Sequence, residues 1–141
     1  MEKHELSKQE ALDKAQVYCA RAEHCAADVR RKLWEWGVDP KMHDDIEEKL
    51  YTDGYLNDER FCKAYVHDKV AYQRWGRIKI QAGLRALQLP ESAIQEALDG
   101  IDENVYKENL TYLAHQHRSD APEKRMRFLL QRGFTYDEVR C

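Results

Sequence analysis

At 141 residues the chain has the length of one ordinary domain or a few very small units. Hydrophobic residues make up 43% and charged residues 35%, with only three prolines and six glycines, a balance that suits long helices with solvated faces. A net charge of −3 argues against a bulk polycation, and no run of about 18 apolar residues is present to cross a membrane.

The opening MEKHELSKQEALDK lacks an apolar signal core, so a cytoplasmic protein is expected. Its four cysteines (Cys19, Cys25, Cys62 and Cys141) are then expected as reduced thiols.

Helices are expected nearly throughout. Ser7 caps a helix at about 8–22, with Glu10 completing a capping box and Leu12, Ala15, Tyr18, Cys19 and Ala22 as its apolar stripe. A second helix, about 26–36, buries Val29, Leu33 and Trp36 and ends at Gly37. Pro40 opens a third, about 40–53, carrying Met42, Ile46 and Leu50. The next stretch, GYLNDERF at 54–61, has the look of a loop with chemistry in it, but each residue has a structural task. Gly54 suits a left-handed helix end, Asn57 an N-cap, and Asp58 and Glu59 the first turn of a helix. Leu56 and Phe61 have the spacing of a hydrophobic staple, so the stretch reads as a joint between helices.

Beyond the joint, a helix at about 58–74 turns Phe61, Ala64, Tyr65 and either Val66 or Val70 inward, and Gly76 breaks it. Helices follow at about 77–88 (Ile80, Leu84, Leu87), 90–99 (Ile94, Leu98), 102–118 (Tyr106, Leu110, Leu113) and 122–132 (Met126, Leu129, Leu130). FTYDEVRC closes the chain with room for a helix of about seven residues.

One unit therefore recurs: long helix, shorter helix, turn, short helix. KLWEWGV, GLRALQL and FLLQRGF place Leu33, Leu84 and Leu129 at one position, 51 and 45 residues apart. Such a period points to stacked repeats, here 1–54, 55–100 and 101–141. The third copy fits less well, because Arg125 and Arg132 occupy positions that are apolar elsewhere.

No catalytic set emerges: G-x-S-x-G, P-loop, H-E-x-x-H and dinucleotide-turn patterns are all missing. No cysteine pair has CxxC spacing, and His115 and His117 fall on different sides of a helix, at the surface. Neither a metal nor another cofactor is expected. Charge is distributed in blocks: −5 over 1–60, +5 over 61–90, −5 over 91–121 and +2 over 122–141. Each middle helix presents cations: Arg30, Arg31 and Lys32; then Arg77 and Arg85, flanked by Arg74 and Lys79; then Lys124, Arg125 and Arg127. Guanidinium groups pair with carboxylates or phosphates, and a solvated helix face is the plainer reading of the same residues. A three-helix unit with a basic helix has helix-turn-helix character, yet a pattern typical of base reading is missing. Trp34, Tyr72 and Trp75 are either interface anchors or packing residues.

GYLNDERF (54–61), WGRIKIQAGLRAL (75–87) and LPESAIQEAL (89–98), with AQVYCARAEHCAADVRRKLWEWGV (15–38) and LLQRGFTYDEV (129–139), resemble the RecX family of bacterial recombination regulators over nearly the whole chain. Cys62 departs from the family's usual alanine, and Gln88 from the glycine that usually follows the middle helix. The resemblance implies an all-α protein of three tandem three-helix repeats in an elongated array, cytoplasmic and non-enzymatic. It also implies that the chain binds the RecA filament along its groove and restrains growth, ATP hydrolysis and strand exchange. On this reading Arg77, Lys79 and Arg85 are the leading contact set. A monomer is expected, because no extra apolar stripe calls for a second copy. The rival reading is a direct binder of single- or double-stranded DNA, and a helical scaffold with neither property is the third.

Overall fold

The computed structural model describes residues 5–140, and the chain divides into two compact units, Met1–Phe61 and Cys62–Cys141. The described residues form nine α-helices and no strand: α1 (Lys8–Arg21), α2 (Ala26–Glu35), α3 (His43–Thr52), α4 (Asp58–Ala71), α5 (Arg77–Ala86), α6 (Glu91–Asp99), α7 (Glu103–Gln116), α8 (Pro122–Gln131) and α9 (Tyr136–Arg140). Their lengths repeat as 14, 10 and 10 residues, then 14, 10 and 9, then 14, 10 and 5. The fold is thus all-α, built from three-helix units in tandem.

In the first unit, the Ser7 hydroxyl accepts from the Glu10 amide while Glu10 reaches back to the Ser7 amide, closing the expected capping box. Pro40 starts a short 3-10 turn, Pro40–Met42, rather than the α-helix itself; the Asp39 carboxylate caps that turn at the Lys41 amide. The core gathers Ala11, Leu12, Ala15, Val29, Leu33, Val38, Ile46 and Leu50. Ala22 corrects the expected stripe: it lies past the end of α1 and is exposed. Buried His43 satisfies its ring by hydrogen bonding to the Val38 carbonyl at 2.9 Å.

The second unit buries Val66 and Val70, Ile80 and Leu84, Ile94 and Leu98, Tyr106, Leu113, Leu129 and Phe134. Buried Asn109 on α7 donates to the Val70 carbonyl at 2.9 Å, pinning α7 to the end of α4. Leu130 corrects another expectation: it is 39% exposed, and Phe134 beyond the helix fills the core in its place. Leu87 is only half-buried, and Leu89 is the buried neighbour.

All three middle helices end alike. The amides of Val38, Leu89 and Phe134 return to the carbonyls of Leu33, Leu84 and Leu129, the superposed leucines, at 3.0, 3.2 and 3.3 Å. These are Schellman closures, which need a left-handed residue just past the helix. Gly37 and Gly133 supply it with φ of 71° and 102°, and Gln88 adopts 65° despite its side chain.

Candidate interaction surface

The GYLNDERF joint is held by side chains from both its ends. Gly54, at φ 79°, closes α3, and the Asn57 side-chain oxygen Oδ1 accepts from the Arg60 amide at 2.8 Å to cap α4. Leu56 and Phe61 are both buried. The Tyr51 hydroxyl donates to Asp58 at 2.7 Å, and burial with that hydrogen bond pushes the phenol well above its ordinary pKa. Arg60 spans the turn: it donates to the Gly54 and Tyr55 carbonyls at 3.1 and 3.3 Å and pairs with Glu23. The roles of Arg60 and Tyr51 escaped sequence reasoning, although an arginine three residues past an N-cap was the available signal.

The cations of α2 are compensated within their own unit. Arg30 binds Asp44 at 2.8 Å and also Glu47 on α3; the Asp44 hydrogen bond is the main reason its pKa rises. Arg31 lies 3.8 Å from both Asp28 and Glu35, and Lys32 lies 3.2 Å from Glu35. Trp34 projects from the same helix, 63% exposed, with His43 edge-on to its ring at 5.2 Å.

Arg77, placed first among contact residues from sequence, works inside its unit. Its guanidinium lies 4.1 Å above the Tyr106 ring, pairs with Glu103, and meets Glu138 at 3.6 Å. Its amide donates to the Tyr106 hydroxyl at 3.0 Å. Burial raises the Tyr106 pKa to about 12. Arg77 thereby ties α5 to α7 and α9. Lys79 lies 4.3 Å over Trp75, shared with Lys69 at 4.5 Å, and Arg74 lies 4.1 Å over Tyr112. Arg85 forks onto Glu91, whose carboxyl is held below its usual range by that hydrogen bond.

On α8 the cations are less occupied. Arg125 replaces the apolar residue of the other repeats and donates to the Arg118 carbonyl at 3.4 Å. Lys124 reaches Asp120 only at 4.0 Å. Arg127 is exposed and has no ion-pair partner among the described residues. Arg132, the other misfit, donates to the Gln73 carbonyl, so its polarity serves a contact rather than breaking the repeat. Tyr72 is 73% exposed.

Cys19, Cys25 and Cys62 are buried and form no disulfide, and Cys141 lies outside the described residues. Burial pushes the Cys19 thiol up to about 11, away from nucleophilic or ligand chemistry. His24 stacks on Tyr18 at 3.8 Å and meets Asp28 at 3.3 Å. His115 is at the surface, whereas His117 is half-buried against Phe128 at 3.8 Å, correcting its expected surface position. No group of three His, Cys, Asp or Glu among the described residues is placed to hold a metal, and no described helix is long and apolar enough to cross a membrane.

These features define a tandem three-helix-repeat protein with cationic side chains on each of its middle helices. The family model described as RecX, second three-helix domain, matches residues 57–98. Regulatory protein RecX of Leptothrix cholodnii is 30% identical over 132 residues, covering 90% of this chain and 83% of the relative. That of Chromohalobacter salexigens is 29% identical, covering 96% and 93%. A crystal structure of regulatory protein RecX superposes with a TM-score of 0.78 at 21% identity, covering 99% of this chain and 79% of that one. RecX from Lactobacillus salivarius gives 0.76 at 19%, covering 94% and 92%; both structures speak to the fold alone. The chain belongs to the RecX family of regulatory proteins.

Proposed function

We propose that this protein is a non-enzymatic regulator that binds RecA assembled on DNA and restrains filament growth, ATP hydrolysis and strand exchange. The observation that carries this reading is family membership over most of the chain, with 83% of a 30%-identical regulatory relative covered. Tandem units support it physically. A filament offers the same surface at regular intervals, and several weak contacts on one chain then act together at high effective concentration. The three-helix repeats, proposed at 1–54, 55–100 and 101–141, each provide a middle helix (α2, α5 or α8) and so a candidate contact. The chain acts as a monomer in the cytoplasm and needs no cofactor.

Co-sedimentation with RecA filaments on single-stranded DNA tests the binding step. Recovery in the pellet is expected to be far greater with RecA and DNA together than with DNA alone. Recovery that ignores RecA would end this reading.

A further inference from the structure

A second surface lies off the middle helices. Within the second unit, α4 and the corner where α6 passes into α7 flank a groove of about 480 Å³. Val66 and Val70 line one wall; Ala97, Ile101 and Val105 line the other. The groove is open to solvent: Val105 is 38% exposed, and Ala71 and Gly100 in its lining are exposed as well. On α4 the lining falls at 63, 66, 67, 70 and 71, one stripe about 12 Å long at about 1.5 Å per residue. Tyr72, 73% exposed, stands edge-on to His67 at 6.3 Å and extends that wall.

Charge on the α6–α7 side selects the occupant. Residues 91–105 hold five carboxylates and no Lys, Arg or His. Glu91 and Glu103 are held by Arg85 and Arg77. Asp102, in the groove lining, caps α7 at the Asn104 and Val105 amides and meets no cation among the described residues. Asp99, exposed on α6, likewise has no ion-pair partner there. Glu96 meets Lys63 of the opposite wall at 3.6 Å, but their side chains are 58% and 62% exposed, a pair of little worth that a competing cation can replace. Such a wall repels a phosphate backbone or an anionic lipid surface. Two helical turns of apolar lining instead match the helix-in-groove mode, in which side chains one turn apart on an amphipathic helix enter together.

We infer that this groove docks a basic amphipathic helix of a partner protein. The helix seats its apolar stripe between α4 and α7, and its lysines or arginines face Glu96, Asp99 and Asp102. The acidic block that the cationic middle helices leave without a task then has one. Docking here needs neither RecA nor DNA, so it goes beyond the filament reading and neither depends on the other.

The test is fluorescence anisotropy with the full chain and labelled helical peptides of about 15 residues. All share one leucine stripe and carry lysine, glutamine or glutamate on the polar face. Affinity is expected to fall in that order. Glu96→Gln combined with Asp99→Asn should weaken the lysine peptide by about three- to tenfold and leave the glutamine peptide unchanged. Ala71→Trp, which fills the groove from an exposed position, should weaken both by about tenfold or more. Arg127→Gln on α8 should change neither. Far-UV circular dichroism verifies that each variant folds, and amide NMR shifts on adding the lysine peptide should concentrate at 63–72 and 96–105. No binding of the lysine peptide up to about 1 mM, equal binding of the glutamate peptide, or full binding by Ala71→Trp overturns the inference. So does a free chain that sediments as a dimer until Ala71→Trp makes it a monomer: a second copy would then cover the groove.

Discussion

Gly76 and Gly133 meet backbone to backbone. The Gly76 amide donates to the Arg132 carbonyl at 2.8 Å, and the Ile78 amide to the Gly133 carbonyl at 3.0 Å. The otherwise orphaned amides at the start of α5 are thus satisfied by the carbonyl end of α8, with the two helix dipoles in favourable sense. A Cβ on Gly76 would lie 2.3 Å from the Gly133 carbonyl carbon and oxygen. Because φ at Gly76 is −80°, alanine is acceptable to its own backbone, and any cost reports the contact. Gly76→Ala is expected to destabilise the chain by about 2–3 kcal/mol in urea unfolding, the range of overpacking against a rigid neighbour. A change near zero would mean that the contact does not form.

Arg77 should behave as a packing residue. Arg77→Ala removes the stack on Tyr106 and the pairs with Glu103 and Glu138, from a side chain only 28% exposed. A loss of about 1–2 kcal/mol is expected by chemical denaturation. Arg85→Ala, whose partner Glu91 is equally exposed, should leave the denaturation midpoint in place.

Gln88 holds a left-handed conformation where the equivalent residues Gly37 and Gly133 are glycines. The left-handed region costs an L-residue with a Cβ about 1–2 kcal/mol, part of which glycine returns as unfolded-state entropy. Gln88→Gly should therefore raise stability by about 0.5–1 kcal/mol, measured as a higher melting temperature. Gln88→Val should lower it.

The joint depends on its cap. Asn57→Ala leaves the Arg60 amide without its acceptor and should cost about 1 kcal/mol. Asn57→Asp keeps an acceptor oxygen and should retain most of the stability in the same thermal melts.

Alkaline pH should weaken the first unit through Cys19. Its thiol ionises at about 11 in the fold, against an ordinary value of 9.0. Because the folded state holds the proton more tightly, its stabilisation is complete below the ordinary value and is lost as pH rises toward 11. Urea midpoints should fall between about pH 9 and about pH 11, and Cys19→Ala should flatten that fall. The same burial predicts that Cys19 resists alkylation until denaturant is added.

Much of this fold is legible in the sequence because its helices are short and locally signed. The Ser7–Glu10 box, the Gly54 stop and the Asn57 cap act within four residues, and the structure reproduces all three. Periodicity also located Leu33, Leu84 and Leu129, each buried. What periodicity cannot read is pairing at a distance. The carboxylates that engage Arg77 come from 103 and 138, and the carbonyl that receives Arg132 comes from 73. A basic stripe on α5 therefore looked free when two of its arginines already had partners. Leu130 went astray for a related reason: the Schellman turn sends Phe134 back into the core, and that space is then filled.

The most direct measurement is RecA's ATP hydrolysis on single-stranded DNA with this protein titrated in. Restraint of a filament predicts that hydrolysis falls steeply while the protein is still well below one copy per RecA. Hydrolysis unchanged up to one copy per RecA would contradict the account.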